Sequence, residues 1–125
     1  DPSYMEQSFS LSGYDSATIQ YYRQLVGLDA ADDFAAEYYS GSSWTPLENL
    51  GSGTANDASF VYKNYTLPIS ATKIRFMCEC GAISEKCYVD NVNIPARKSP
   101  IFIISSKLKI LFLIINPILK STKIL

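Results

Sequence analysis

The segments ATIQYYRQLVG (17–27) and DFAAEYYSG (33–41) decide the predicted fold, because both read with the two-residue period of a β-strand. In the first segment Ile19 and Tyr21 share one face, and the polar Gln20 lies on the other. Tyrosines and β-branched residues favour strands, and glycine or aspartate turn signals follow each segment. We therefore predict two strands; a short helix over the first segment is the alternative, since some apolar residues there also recur at helical spacing.

The rest of the chain up to residue 94 repeats this pattern of short strands and turns. Turn signals recur about every 8–12 residues, and no sustained helical periodicity interrupts them. Further strands are predicted at 7–14, 44–50, 58–68, 72–80 and 86–94. The sequence therefore predicts an all-β fold, an antiparallel β-sandwich.

The charge distribution divides the chain into two parts. Residues 1–90 hold all 12 acidic residues and five of the 11 basic ones, a net charge of −7, whereas residues 91–125 hold six bases and no acid. An acidic, strand-rich domain binds nucleic acids poorly, because neutralisation of the phosphates by basic residues drives nucleic-acid binding. We therefore predict a β-sandwich binding module at 1–94, an apolar, lysine-containing tail at 95–125, and no nucleic-acid partner.

The tail, PARKSPIFIISSKLKILFLIINPILKSTKIL, is expected to be disordered or loosely helical. Its longest charge-free run covers ten residues, 110–119, whereas a membrane-spanning helix needs about 20. Contact of the tail with a membrane surface is one alternative. Translation of non-coding sequence is another, because the isoleucine- and lysine-rich composition resembles it.

The chain contains no histidine, which limits the chemistry it can perform. Serine–histidine and cysteine–histidine nucleophiles and histidine-containing zinc sites are excluded. An enzyme would depend on carboxylates such as Asp32, Asp33 and Glu37, because glycosidases use two carboxyl groups roughly 5–10 Å apart. Turn chemistry and a solvated strand face explain the same residues, so we predict no catalytic activity.

Three cysteines lie close together in MCECGAISEKCYVDNV (77–92). Without histidine a zinc site would need a carboxylate as its fourth ligand, so a disulfide is the favoured interpretation. If residues 81–86 form a hairpin connection, Cys80 lies nearly opposite Cys87, and we predict this pair. Cys78–Cys87 is the alternative, and the third cysteine is then unpaired or bonded elsewhere.

Four phrases follow one another between residues 8 and 94: SFSLSGYDSATIQYY, GLDAADDFAAEYYSGSSWTPLENL, KNYTLP and KIRFMCECGAISEKCYVDNVNI. In order and spacing they resemble the jelly-roll accessory domains of secreted peptidases and glycosidases, akin to MAM domains and carbohydrate-binding modules. Members of this group usually carry further strands before the first phrase, and few residues precede it here. The resemblance therefore implies a domain that is incomplete at its N-terminus.

The resemblance implies a non-catalytic, extracellular binding module for carbohydrate or an extracellular protein. Exposed aromatic residues would contact the ligand, with Trp44 and Tyr39 as candidates, and a structural calcium would involve Asp90. The triplet NYT at 64–66 makes Asn64 an N-glycosylation acceptor, and both this sequon and a disulfide fit a secreted protein. The alternative is a fragment of a secreted peptidase or glycosidase whose catalytic part is missing.

Overall fold

The computed structural model describes residues 1–51, 55–99, 103–105, 108–110 and 115–121. These residues form ten strands and no helix, which confirms the predicted all-β fold. The strands are β1 (Ser3–Ser8), β2 (Ser16–Val26), β3 (Asp33–Tyr39), β4 (Trp44–Asn49), β5 (Val61–Leu67), β6 (Lys73–Glu79), β7 (Lys86–Arg97), β8 (Ile103–Ser105), β9 (Leu108–Ile110) and β10 (Ile115–Ser121).

Two antiparallel sheets form the predicted sandwich. Sheet I has the strand order β1–β6–β3–β4, and sheet II has the order β10–β7–β2–β5. Strands β8 and β9 pair only with each other. The chain changes sheet repeatedly between β1 and β7, so strands that are neighbours in sequence often face each other across the interior.

The core lies between the sheets and is built from alternate residues of each strand. In β2, Ile19, Tyr21 and Leu25 are fully buried, and Phe34 of β3 enters the core from sheet I. The rings of Tyr21 and Phe76 meet edge to face with centroids 4.9 Å apart. Burial of each such side chain contributes about 1.5–3 kcal/mol to the free energy of unfolding.

A buried polar cluster joins the two sheets within this interior. Glu48 of β4 accepts hydrogen bonds from the Tyr21 hydroxyl at 2.8 Å and from Arg23 Nε at 2.7 Å. Lys63 Nζ lies 3.2 Å from the same carboxylate, and Arg23 also pairs with Asp57. Two cations therefore balance two carboxylates, which is the condition under which charged groups are tolerated in a protein interior.

The first strand lies earlier than predicted, at Ser3–Ser8 rather than 7–14. It forms an edge of sheet I beside β6, and the following residues turn toward sheet II. Leu11 is buried in this turn, and its carbonyl accepts a hydrogen bond from the Tyr14 N–H at 3.1 Å. Gly13 has φ +83°, which glycine adopts without steric cost. The serines there bond the local backbone and so favour a turn over a strand.

The disulfide joins Cys78 of β6 to Cys87 of β7, with an S–S distance of 2.07 Å and a Cα–Cα distance of 6.1 Å. The predicted Cys80–Cys87 pair is wrong, because β6 and β7 belong to different sheets and form no hairpin. Cys78 follows Ile74 and Phe76 on the inward face of β6 and meets Cys87 across the sandwich. Cys80 lies beyond the end of β6 with an exposed thiol.

Within the described part of the tail, residues 95–97 lie in β7 and residues 103–105, 108–110 and 115–121 form β8, β9 and β10, whereas the tail was predicted to be disordered or loosely helical. Strand β7 continues past residue 94 to Arg97, and β10 pairs with β7 at the edge of sheet II. The remaining tail residues, 100–102, 106–107, 111–114 and 122–125, lie outside the described residues. The division of the chain near residue 94 stays a prediction. A search of the described residues for a helix able to span a membrane finds none.

Candidate binding faces

The outer face of sheet I brings together the two aromatic residues predicted to contact a ligand. Gly41, at φ +73°, lies in the turn between β3 and β4, and the strand register then pairs Tyr39 with Trp44. Their ring centroids are 5.3 Å apart, and the ring planes are inclined by 56°. Both side chains are half-buried, so each ring retains an accessible surface.

Arg75 of β6 completes this group, which we call the Trp44 cluster and define as Trp44, Tyr39, Arg75 and Glu37. The guanidinium carbon of Arg75 lies 4.1 Å from the centroid of the Trp44 ring, within the range of a cation–π interaction. Arg75 Nε also donates a hydrogen bond to Glu37 Oε2 at 2.5 Å, which holds the cation over the ring. Sequence reasoning missed Arg75, because its contact with Trp44 depends on β3 lying between β4 and β6.

An exposed ion pair borders the Trp44 cluster. Lys73 Nζ donates a hydrogen bond to Glu6 Oε1 at 2.7 Å and lies 5.9 Å from the centroid of the Tyr39 ring. The hydrogen bond and the charge of Glu6 raise the pKa of Lys73 above its usual value. Because water screens exposed pairs, this one contributes little to stability. The Lys73–Glu6 pair nevertheless makes the rim of the Trp44 cluster polar.

The Trp44 cluster is suited to binding rather than to proton transfer. Tryptophan, tyrosine and arginine are the residue types enriched in the energetically dominant parts of protein interfaces. The 56° inclination of the rings, with the guanidinium over the indole, divides the aromatic surface into separate parts. A protein surface can follow such a relief, whereas the apolar face of one sugar ring can stack on only one aromatic ring at a time.

The outer face of sheet II is rich in amides and hydroxyls, and Arg97 adds a charge beside them. The strand register places Asn64, Gln20 and Asn93 in one row across β5, β2 and β7, with Thr66 and Thr18 paired in the row beside it. Within the described part of the chain, the side chains of Gln20, Asn64, Thr18 and Thr66 form no hydrogen bonds. Asn93 Oδ1 is likewise buried without a partner among these residues. This face therefore has unused donors and acceptors.

A groove of about 450 Å³ runs over these rows, and Asn64 forms part of its wall. Its volume lies within the roughly 300–1,000 Å³ that small-molecule sites occupy. The next row holds Tyr22 and Tyr62, which are register partners with ring centroids 5.3 Å apart. Both rings are exposed, at 41% and 47% of their surface, so the groove adjoins an aromatic pair.

The disulfide lies beside a third sulfur at one end of the sandwich. Cys80 Sγ is 3.2 Å from Cys78 Sγ and borders a cavity of about 330 Å³. Partial desolvation raises the pKa of the Cys80 thiol, and the carboxylates of Asp32 and Glu85 raise it further. The thiol therefore stays protonated at neutral pH, which makes it a poor nucleophile and a poor metal ligand.

Three carboxylates gather near the same end, with ligand oxygens of Asp29, Asp32 and Glu85 within 4.8 Å of one another. Asp32 is fully buried: its Oδ1 accepts the Gly81 N–H and its Oδ2 accepts the Asp29 N–H, both at 2.8 Å. Glu85 accepts the N–H of Ala82. These bonds tie the loop before β3 to the connection between β6 and β7, which gives the cluster a structural role.

Asp90, the residue for which the resemblance implies calcium, lies at a β-bulge of β7. Tyr22 pairs with Asp90 and Gln20 with Asn93, so two residues of β7 face one of β2. Asn91 has φ +52° and donates its N–H to Asp90 Oδ1 at 2.8 Å. Calcium takes about six to eight oxygens, and Asp90 belongs to neither metal-capable cluster of the described residues. The side chains around Asp90 therefore do not fit a calcium centre.

All three carboxylates considered for catalysis interact with neighbouring groups. Both oxygens of Asp32 accept backbone hydrogen bonds, and Glu37 is paired with Arg75. Asp33, the third, begins β3 and pairs in register with Glu79. Asp32 and Glu37 are thus held by different neighbours. The two outer faces are the remaining candidates for a functional site.

No protein-family model matches the chain, and no curated protein matches it. The functional argument therefore depends on the geometry and chemistry of the two faces.

Proposed function

We propose that this chain is a non-catalytic, extracellular binding module that docks a protein ligand on the Trp44 cluster of sheet I. The observation that carries the proposal is the Arg75 guanidinium 4.1 Å above the Trp44 ring, with Tyr39 alongside. These three side chains are held in place by strand pairing and by Glu37. A partner would therefore meet a preorganised surface, and less conformational entropy is lost on binding such a surface.

The surroundings of the cluster favour a protein over other ligands. Protein interfaces combine an aromatic and arginine-rich centre with a polar rim, and the Lys73–Glu6 pair supplies such a rim here. The centre also has a divided relief, which a second protein surface can match with its own side chains.

The extracellular address is supported by two features that require the same compartment. The Cys78–Cys87 disulfide persists in oxidising surroundings, although a single disulfide is a nonspecific indicator. The sequon at Asn64 is exposed on the outer face of sheet II, where glycosylation would leave the core undisturbed. The resemblance to accessory domains of secreted enzymes, which is predicted from the sequence phrases, agrees with this address.

Carbohydrate is the second candidate ligand, and the half-exposed rings of Trp44 and Tyr39 favour it. Sugar-binding surfaces offer aromatic faces to the apolar side of a sugar ring, and either ring can do so singly. Under this alternative the Arg75 guanidinium would donate hydrogen bonds to sugar hydroxyls. The predicted resemblance to carbohydrate-binding modules also favours a carbohydrate ligand.

The proposal is tested by secreting the full chain from eukaryotic cells and applying it to an array of extracellular proteins and to a glycan array. We expect binding on the protein array, reduced at least about tenfold by Trp44→Ala, since such residues each contribute 1–2 kcal/mol or more. The matched control is Thr18→Ala on the opposite face, which should bind as the wild type does.

Three outcomes would count against the proposal. Unchanged binding of Trp44→Ala would remove the cluster from the interface. Signal confined to the glycan array would select the carbohydrate alternative. Hydrolysis of chromogenic glycosides by the purified chain would restore the reading of a secreted hydrolase.

A further inference from the structure

We propose that an N-linked glycan on Asn64 occupies the groove of sheet II and stacks on Tyr62. In this arrangement the outer face of sheet II carries the chain's own oligosaccharide instead of an outside ligand. The inference rests on the extracellular address of the proposed function, because glycan transfer requires the secretory pathway. It does not depend on what the Trp44 cluster binds.

The acceptor is well placed for modification. NYT at 64–66 is the single Asn-x-Ser/Thr triplet of the sequence, and Asn64 is exposed. In the transfer, Asn64 Nδ2 forms a bond to C1 of the first sugar of a lipid-diphosphate-linked oligosaccharide. The bond from that C1 to the diphosphate breaks, the amide loses one proton, and the lipid diphosphate leaves.

Tyr62 lies where the first sugar of the glycan will be. Residues two apart on a strand share a face and are about 6.6 Å apart along it, so Tyr62 is a neighbour of Asn64 on the outward side. Its ring is 47% exposed, and the Tyr22 ring packs against it with a centroid distance of 5.3 Å. A supported, accessible aromatic face of this kind offers an apolar surface to a sugar ring.

The groove supplies polar partners for the sugars beyond the first contact. Gln20 is the register partner of Asn64, and Thr18 is that of Thr66. These side chains form no hydrogen bonds within the described residues, so their donors and acceptors are available to sugar hydroxyls and to N-acetyl groups. The Arg97 guanidinium at the groove wall is a further donor that sugar hydroxyls can accept from.

The position of Asn64 explains why the occupant is the chain's own glycan. The wall of the groove includes Asn64 but not Tyr62, so the glycan is attached at the boundary between the groove and the Tyr62 ring, and a free oligosaccharide in the groove would have to share the space with it. β5 is also an edge strand of sheet II. A bulky polar group on an edge strand hinders edge-to-edge pairing with a second chain.

The test compares glycosylated and unglycosylated chains secreted from eukaryotic cells. Intact mass should show one glycan on the wild type and none on Asn64→Gln. An endoglycosidase that leaves only the first sugar separates the stacking contact from the rest of the glycan. We expect the first sugar to raise the folded-to-unfolded ratio roughly threefold to tenfold, the range measured for aromatic contacts. Nuclear Overhauser contacts should join that sugar to the Tyr62 ring.

Matched variants separate docking from a general effect of the glycan. Tyr62→Phe keeps an aromatic face and should keep the stabilisation, whereas Tyr62→Thr suits a strand but offers no ring and should lose it. Equal stability with and without the sugar, or sugar signals without contacts to Tyr62, would overturn the inference. A secreted chain without any glycan at Asn64 would overturn it as well, and so would binding of free oligosaccharide to the groove of Asn64→Gln. Array binding through the Trp44 cluster is scored separately on the same protein.

Discussion

The two outer faces of the sandwich differ in how their polar groups are satisfied. On sheet I the charges pair with one another, and Arg75 and Lys73 lie near aromatic rings. On sheet II the amides and hydroxyls of Gln20, Asn64 and Thr18 have no hydrogen-bond partners within the described chain. The charged groups on sheet I are already paired, so its aromatic rings are the groups available for contact. The amides and hydroxyls on sheet II instead need water or sugar hydroxyls as hydrogen-bond partners.

Both faces depend on the interior that lies between them, and the largest predicted effect removes its polar link. Glu48→Ala leaves Arg23 and Lys63 without their shared carboxylate partner, which should cost about 3–5 kcal/mol in the free energy of unfolding. Urea unfolding monitored by tyrosine and tryptophan fluorescence measures this. Glu48→Gln, which still accepts a hydrogen bond from Tyr21, should lose less. A loss below about 1 kcal/mol for the alanine variant would mean that the sheets are joined without this cluster.

Breaking the covalent link between the sheets should have the next largest effect. Cys78 and Cys87 are nine residues apart in sequence, and closing a loop of that length is worth about 2–3 kcal/mol. Reduction should lower the unfolding free energy by this amount, while Cys80→Ser should leave it unchanged. Peptide mapping under non-reducing conditions checks the pairing directly. A Cys80–Cys87 peptide would contradict the inter-sheet bridge.

The interior cluster also predicts a pH dependence of the free energy of unfolding. Burial raises the pKa of the Tyr21 hydroxyl above its ordinary value of 10.0, and the charge of Glu48 and its hydrogen bond add to the shift. Because the unfolded chain ionises this group first, the stabilisation is complete below pH 10 and declines above it, by up to about 1.4 kcal/mol per pH unit. Unfolding measured between pH 8 and roughly 11 gives this slope.

Tyr21→Phe should flatten the alkaline slope, and Tyr4→Phe, at an exposed tyrosine of the outer face, serves as the control. An identical slope in both variants would show that another group controls alkaline unfolding.

The smallest predicted effects on stability distinguish the faces themselves. Trp44→Ala removes a ring contact and a cation–π interaction at a half-buried site, which should cost about 1 kcal/mol. Asn64→Gln in unglycosylated protein should change stability by less than about 0.5 kcal/mol, since its side chain has no hydrogen bonds to lose among the described residues. Thermal unfolding of protein made in bacteria compares the two. A larger loss for Asn64→Gln would show that its amide has a structural role.

The sequence predicted what depends on local pattern. The two-residue period placed β2 and β3 within one or two residues of their observed bounds, and it placed Ile19 and Tyr21 on one face, where both are buried. Alternation failed at 7–14, because serine and glycine turn chemistry competes there with strand pairing. The local signal is the same for a strand and for an extended turn, so only the partner strand distinguishes them.

Features that depend on sheet membership could not be predicted. The pairing of Cys78 with Cys87 and the contact of Arg75 with Trp44 both follow from which strands are neighbours, and the pattern of any one strand contains no such information. The polar link through Glu48 is of the same kind, since its partners come from β2 and β5. The sequence predicted Tyr39 and Trp44 as separate candidates for ligand contact. It did not predict that the two rings lie side by side on the outer face of sheet I.

The assignment of protein binding to sheet I and of the glycan to sheet II is tested most directly by one side-by-side binding measurement. The secreted wild type, Trp44→Ala and Asn64→Gln are titrated against the same partner found on the extracellular protein array. We predict that Trp44→Ala weakens binding at least about tenfold while Asn64→Gln stays within about twofold of the wild type. The opposite ranking, with the loss at Asn64 and none at Trp44, would contradict the account.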